Sequence, residues 1–287
     1  MKGRCVFDAQ ATLSGRSGRP LGFLGRTAHL LVFTGLWGDA GVPCVTRTAA
    51  DPTDAVARAQ LCAQAQVLTL LREVTGVPHL LHLDPAASVL VQERPEGLLL
   101  SEAQAVLPRE VARWCGVELA LASILEWVHR AGVLLGDLHP DNVVLDPASG
   151  RVALLDLGAA VVQGHVDAGF RHAAQLGRAL PFGEPELTGR MARAADFRAD
   201  HYALGAVLYA LLCAHPPFVE DDPLALLHAL LTCMPPAPRV LAGDVPVCLF
   251  PGGPGGLCEH RVPAVPARPA LWRAGWPACG AGRVPLW

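Results

Sequence analysis

A chain of 287 residues in which 52% are hydrophobic can bury a large core, enough for one two-lobed domain or two small ones. The net charge of −3 supplies no basic field, which argues against nucleic acid as a partner. Nine cysteines without a Cys-x-x-Cys pair or a spaced Cys/His set argue against metal knuckles and a disulfide framework, and suit a reducing cytoplasm. Met1 to Asp8 has no apolar signal region, and the longest apolar run, Ala203 to Ala214, is too short to span a bilayer. The expectation is a cytoplasmic chain with no membrane partner, whose apolar residues form a core.

In chain order, Leu30–Phe33 and Pro43–Arg47 read as strands joined by a Gly/Asp turn at Gly38 to Gly41. Asp51-Pro-Thr-Asp54 reads as a helix start leading into Val56 to Leu71, and Ala87–Glu93 as a third strand that ends at Arg94-Pro95. Gly22, Gly25 and Gly35 make no Gly-x-Gly-x-x-Gly loop. His79 and His82 have a ligand-like gap but no third partner, so they read as strand or loop residues. From Arg109 to Arg130, Val111, Trp114, Val117, Leu121, Ile124, Leu125 and Val128 recur near helical spacing, and Ala131-Gly132 closes the helix. That stripe reads as core. Two short strands, Val143–Leu145 and Val152–Leu155, flank a Pro-Ala-Ser-Gly turn, and helices follow near Asp200 to Leu212 and Pro223 to Thr232. From about Cys248 the chain is Pro/Gly-rich, has no sustained period and holds Trp272, Trp276 and Trp287.

The chemistry concentrates where those short strands meet. Asp137, Asn142 five residues on, and Asp156 fourteen further lie on two loops that the strand–turn–strand brings together. The three oxygens suit phosphoryl transfer, with one acid orienting a hydroxyl and the other two groups, Asn142 and Asp156, holding magnesium against a nucleotide's phosphates. Asp and Asn are also common turn residues that bond their own backbone, and any one of the three taken singly has that reading.

Asp137 to Asn142 resembles the catalytic loop of protein kinases, and Asp156-Leu-Gly158 resembles their magnesium-binding triplet. Gly136-Asp-Leu-His-Pro-Asp-Asn142 is also similar to the loop of aminoglycoside phosphotransferases. Gly183 to Arg193, Asp196 to Gly205, Leu208 to Leu212 and Pro216-Pro-Phe218 run in register with a protein kinase instead. The Pro185-Glu-Leu-Thr-Gly-Arg-Met-Ala-Arg193 form resembles a bacterial group in which a serine/threonine kinase domain precedes an ATPase module and a sensor histidine kinase.

The resemblance implies an α+β, bilobal fold, with a small β-rich lobe over 20–94 and a larger, mainly helical and incomplete lobe over 95–240. An extension (1–19) precedes it and an irregular tail (241–287) follows. It implies ATP and Mg2+ as cofactors and a protein as substrate, with Asp137, Asn142 and Asp156 in the roles above. The phosphate-holding Lys of the family matches Arg47, and the Glu that pairs with it matches Gln64, which could accept a hydrogen bond from Arg47. Backbone groups from Gln92 to Arg94 would meet adenine. Asp200 would anchor the catalytic-loop backbone, and Leu157 replaces the middle Phe of the triplet; read by itself, Asp200 is an acid near a helix N-terminus, and His139 could make an orienting contact or shuttle a proton.

Leu135 and Gly136 stand where the family commonly has His-Arg, which removes the guanidinium that would meet an activation-segment phosphate. Phosphorylation of that segment is therefore not expected to be the switch. No Arg-bearing segment follows to pair with Glu186. The expectation is that the reading frame is lost near Val247, or that the chain is a remnant of a longer multidomain protein carrying ATPase and histidine kinase modules. Three functions remain open at this point: an ATP-dependent protein serine/threonine kinase, a pseudokinase with little transfer activity, and a small-molecule phosphotransferase.

Overall fold

The computed structural model describes residues 18–163, 177–183 and 196–243. Glu186, the Pro-Glu-Leu-Thr-Gly-Arg segment and the Pro/Gly-rich tail lie outside the described residues.

The small lobe is built on a five-stranded antiparallel sheet in the order β1-β2-β3-β5-β4. Its strands are β1 (Gly18–Arg26), β2 (Leu30–Trp37), β3 (Val42–Ala49), β4 (Leu80–Asp84) and β5 (Val89–Glu93). The β2–β3 turn uses Gly38 and Gly41 at positive φ, which lets two turn residues reverse the chain without a Cβ clash. Strands β2, β3 and β5 fall where the sequence pointed. β1 and β4 are additions. β1 is rich in Gly and carries a Pro, and its pairing slips at Pro20/Gly22 and Phe23/Gly25, so no period of two survives along it. Gly35 lets β1 pack close to β2, because a Cβ there would meet the Arg19 carbonyl oxygen at 2.6 Å.

Helix α1 (Ala55–Leu70) lies between β3 and β4 in the chain. Asp54 caps it, accepting from the Val56 and Ala57 N–H groups, and its other oxygen holds His29 Nδ1 at 2.8 Å. The buried face of α1 carries Ala57, Leu61, Ala65, Val67 and Leu68, together with one polar residue, Gln64.

The larger lobe begins with β6 (Leu98–Leu99) and α2 (Leu100–Val106), followed by the long helix α3 (Val111–Arg130). Short strands β7 (Val133–Leu134), β8 (Val143–Leu145), β9 (Val152–Leu154) and β10 (Val161–Val162) form two small sheets, β6-β8-β9 and β7-β10. Helices α4 (Phe197–Cys213), α5 (Pro223–Thr232) and α6 (Pro238–Leu241) complete the described chain. α4 is buried nearly all round from Ala203 to Leu212, which explains its apolar continuity. One core runs through both lobes, joining Leu30, Leu61, Leu68 and Leu90 to Trp114, Leu121, Leu154, Val207 and Leu211.

Six of the seven stripe residues expected on α3 are buried, and Val111 is half-buried. Glu118 lies on the same stripe, 4% exposed, and among the described residues neither carboxylate oxygen has a hydrogen-bond partner. Burial pushes its carboxyl well above the usual range. The folded chain therefore keeps a proton that the unfolded chain releases above its ordinary pKa of 4.5, and stability falls as pH rises through that window. Glu118→Gln, neutral at every pH, is expected to match the wild type near pH 4 and to be the more stable of the two at pH 8. Urea unfolding at the two pH values measures this, and an equal difference at both would show that the proton plays no part.

Candidate phosphoryl-transfer site

The site forms where β8 and β9 turn the chain back on itself. A 3-10 turn (Pro140–Asn142) follows the loop carrying Asp137, and Asn142 Nδ2 donates to the Asp137 carbonyl oxygen at 2.9 Å and to Asp137 Oδ2 at 3.3 Å. The Asn142 carbonyl accepts from the Leu155 N–H at 2.8 Å, which seats Asp156 beside that loop. Both side-chain bonds of Asn142 use Nδ2, so its Oδ1 is the atom suited to a cation. Asp156 Oδ1 accepts from the Gly158 N–H at 2.7 Å, an Asx turn that orients the carboxylate, and Leu157 packs into the core at 1% exposure.

Asp200, at 1% exposure, anchors the loop from below. Its Oδ1 accepts from the Gly136 N–H at 2.8 Å and its Oδ2 from the Leu135 N–H at 2.9 Å. Gly136 takes φ +67°, which a larger residue would resist. His129 Nε2 also meets Asp200 Oδ2 at 2.8 Å, while its ring stacks on Phe197 at 4.4 Å between centroids. Sequence reasoning overlooked His129; the available signal was a histidine in the last turn of the helix leading into the loop. His139 is buried and stacks on Phe182.

In the small lobe, Arg47 sits on β3 at 5% exposure and its Nη2 pairs with Asp156 Oδ2 at 2.7 Å. The direct Arg47–Gln64 bond expected from the sequence is replaced by another arrangement. Arg47 Nη1 and Gln64 Nε2 both donate to Gln92 Oε1, each at 2.9 Å. Arginine has donors only, and Gln64 turns its own donor inward, so the two share an acceptor instead of pairing. Gln92 Nε2 in turn donates to the Leu155 carbonyl at 2.8 Å.

In the backbone expected to meet adenine, Gln92 to Arg94, two N–H groups already have partners. The Gln92 side chain is fully buried in this network, the Glu93 N–H donates to the His79 carbonyl, and the Arg94 N–H donates to the Pro43 carbonyl. β5 is an interior strand, so those N–H groups are spent on its neighbours, and Pro95 has none to give. His79 pairs with Glu93 and His82 stacks on Trp37, and no group of three metal-ligating side chains occurs among the described residues.

The model of the protein kinase domain family matches residues 83–236, more than half of the chain. The chain belongs to the protein kinase domain family. The match includes Asp137, Asn142, Asp156 and Asp200, while Arg47 and Gln64 lie before it. Among curated relatives, a probable serine/threonine-protein kinase of Streptomyces coelicolor is 33% identical over 150 residues, 51% of this chain and 21% of the relative. The DNA damage-responsive serine/threonine-protein kinase RqkA of Deinococcus radiodurans is 32% identical over 139 residues, 48% of this chain and 20% of the relative. The serine/threonine-protein kinase PknB of Mycobacterium leprae is 30% identical over 117 residues, 40% of this chain and 18% of the relative. Each match thus spans about a fifth of the relative's length.

Proposed function

We propose that this chain is an ATP- and magnesium-dependent protein serine/threonine kinase domain. The observation that carries the reading is the convergence of Asp137, Asn142 and Asp156 through the Asn142–Asp137 and Leu155–Asn142 bonds. A carboxylate and an amide oxygen are hard donors of the kind Mg2+ takes alongside phosphate oxygens, so Asp156 and Asn142 fit that ion. Bound Mg·ATP supplies the transferable phosphoryl group and neutralises its charge. Asp137 orients the acceptor hydroxyl and receives its proton, Asn142 holds Asp137 in place, and Arg47 supplies positive charge toward the phosphates. Asp200 keeps the loop backbone rigid, so that Asp137 needs no rearrangement at the moment of transfer.

The names of the relatives support a protein hydroxyl as acceptor. The lobes over 20–94 and 95–240, a cytoplasmic setting, and ATPase and sensor histidine kinase modules beyond this chain belong to the same proposal. Among the described residues, no helix is long and apolar enough to cross a membrane. Incubation with labelled Mg·ATP, a generic protein substrate and, separately, an aminoglycoside tests the acceptor. Label on Ser or Thr of the protein is expected, and label on the aminoglycoside alone would replace this reading with a small-molecule phosphotransferase.

A further inference from the structure

Gln92 has no contact with solvent, yet its single amide makes three side-chain hydrogen bonds to three separate elements. Oε1 accepts from Arg47 on β3 and from Gln64 on α1, while Nε2 donates to Leu155, the residue before Asp156. The amide can face only one way. Turned over, it would set an N–H2 against two donors and an oxygen against the Leu155 carbonyl. The Arg47 guanidinium reaches the Asp156 carboxylate through Nη2 and the neutral Gln92 oxygen through Nη1. The guanidinium is thus held by two acceptors at once, one charged and one neutral.

We propose that Gln92 is a positioning residue for the kinase reaction: its amide aims Arg47 and couples α1, through Gln64, to the loop that carries Asp156. The proposal rests on the kinase reading above. Glutamine suits the position better than glutamate, which would lack a donor for the Leu155 carbonyl and would place a second negative charge beside Asp156. It also suits the position better than an apolar residue, which would leave Arg47 and Gln64 with buried, unpaired donors.

The test is a double-mutant cycle of Arg47→Met and Gln92→Met, read as kcat/KM for Mg·ATP and as Mg·ATP affinity by calorimetry, with thermal unfolding of each variant. Each single substitution is expected to lower kcat/KM by about ten- to a hundredfold, the range of one charge-assisted hydrogen bond. The pair is expected to lose little beyond Arg47→Met alone. Gln92→Glu keeps the acceptor for Arg47 and is expected to fall between wild type and Gln92→Met; it also serves if Gln92→Met does not fold. Multiplicative losses in the double variant, or Gln92 variants that change only the unfolding temperature, would overturn the proposal. A wild type that binds Mg·ATP with the same non-additivity but transfers nothing would leave the positioning role standing and remove the kinase reading. A wild type that binds no nucleotide would remove both.

Discussion

Asp156→Asn is expected to lower phosphoryl transfer by at least about a thousandfold while leaving the chain folded. Asp156 has two separable jobs. Its Oδ1 shapes the local turn by accepting from the Gly158 N–H, and its Oδ2 carries the charge that faces Arg47 and any cation. Asparagine keeps an oxygen for the first job and removes the charge needed for the second. Arg47 retains its bond to Gln92, so its orientation survives the loss of the carboxylate. A magnesium titration of transfer, with thermal unfolding alongside, measures the two effects separately. Activity within tenfold of wild type, at unchanged magnesium dependence, would show that Asp156 does not hold the ion.

Asp200→Ala is expected to damage the fold itself, by about 3 to 5 kcal/mol. Asp200 takes the Leu135 and Gly136 N–H groups and His129 Nε2 in a setting almost closed to water. Alanine leaves all three without their acceptor, and buried unpaired donors retain the full cost of leaving water. A loss of this size is comparable to the whole stability of many domains, so a large drop in unfolding temperature or a failure to accumulate folded protein is expected. Urea unfolding measures it. A change below about 1 kcal/mol would mean that water replaces the carboxylate and that the loop is not anchored there.

The contrast between Asp156 and Gln92 separates what the amino-acid sequence reveals from what it hides. That the loops carrying Asp137, Asn142 and Asp156 meet was legible because strand, turn and strand are local signals, and a hairpin fixes which loops come together. β2, β3, α1 and α3 were legible from turn residues, an Asp cap and a helical stripe. β1 was hidden by its glycines and bulges, and β4 by a histidine in the middle of a run that is half-buried throughout. The role of Gln92 was hidden for another reason. Inside Val89-Leu-Val-Gln-Glu93 it reads as one more strand residue, and an amide's choice between donating and accepting is made by partners 28, 45 and 63 residues away in sequence. Gln64 was placed on α1, but neither its burial nor its bond to Gln92 was foreseen, for the same reason.

The role of Asp137 is decided by labelled γ-phosphate transfer from Mg·ATP to a generic Ser/Thr protein substrate, wild type beside Asp137→Asn. Incorporation that falls by about a hundred- to ten-thousandfold in the variant is the expected result, because a positioned carboxylate contributes that much to proton transfer and orientation. It would also show that Arg47 suffices in the phosphate-holding position. Folded wild-type protein that transfers no more than the variant would rule out Asp137 as the group that orients the hydroxyl and leave a chain with the fold of a kinase and no kinase chemistry.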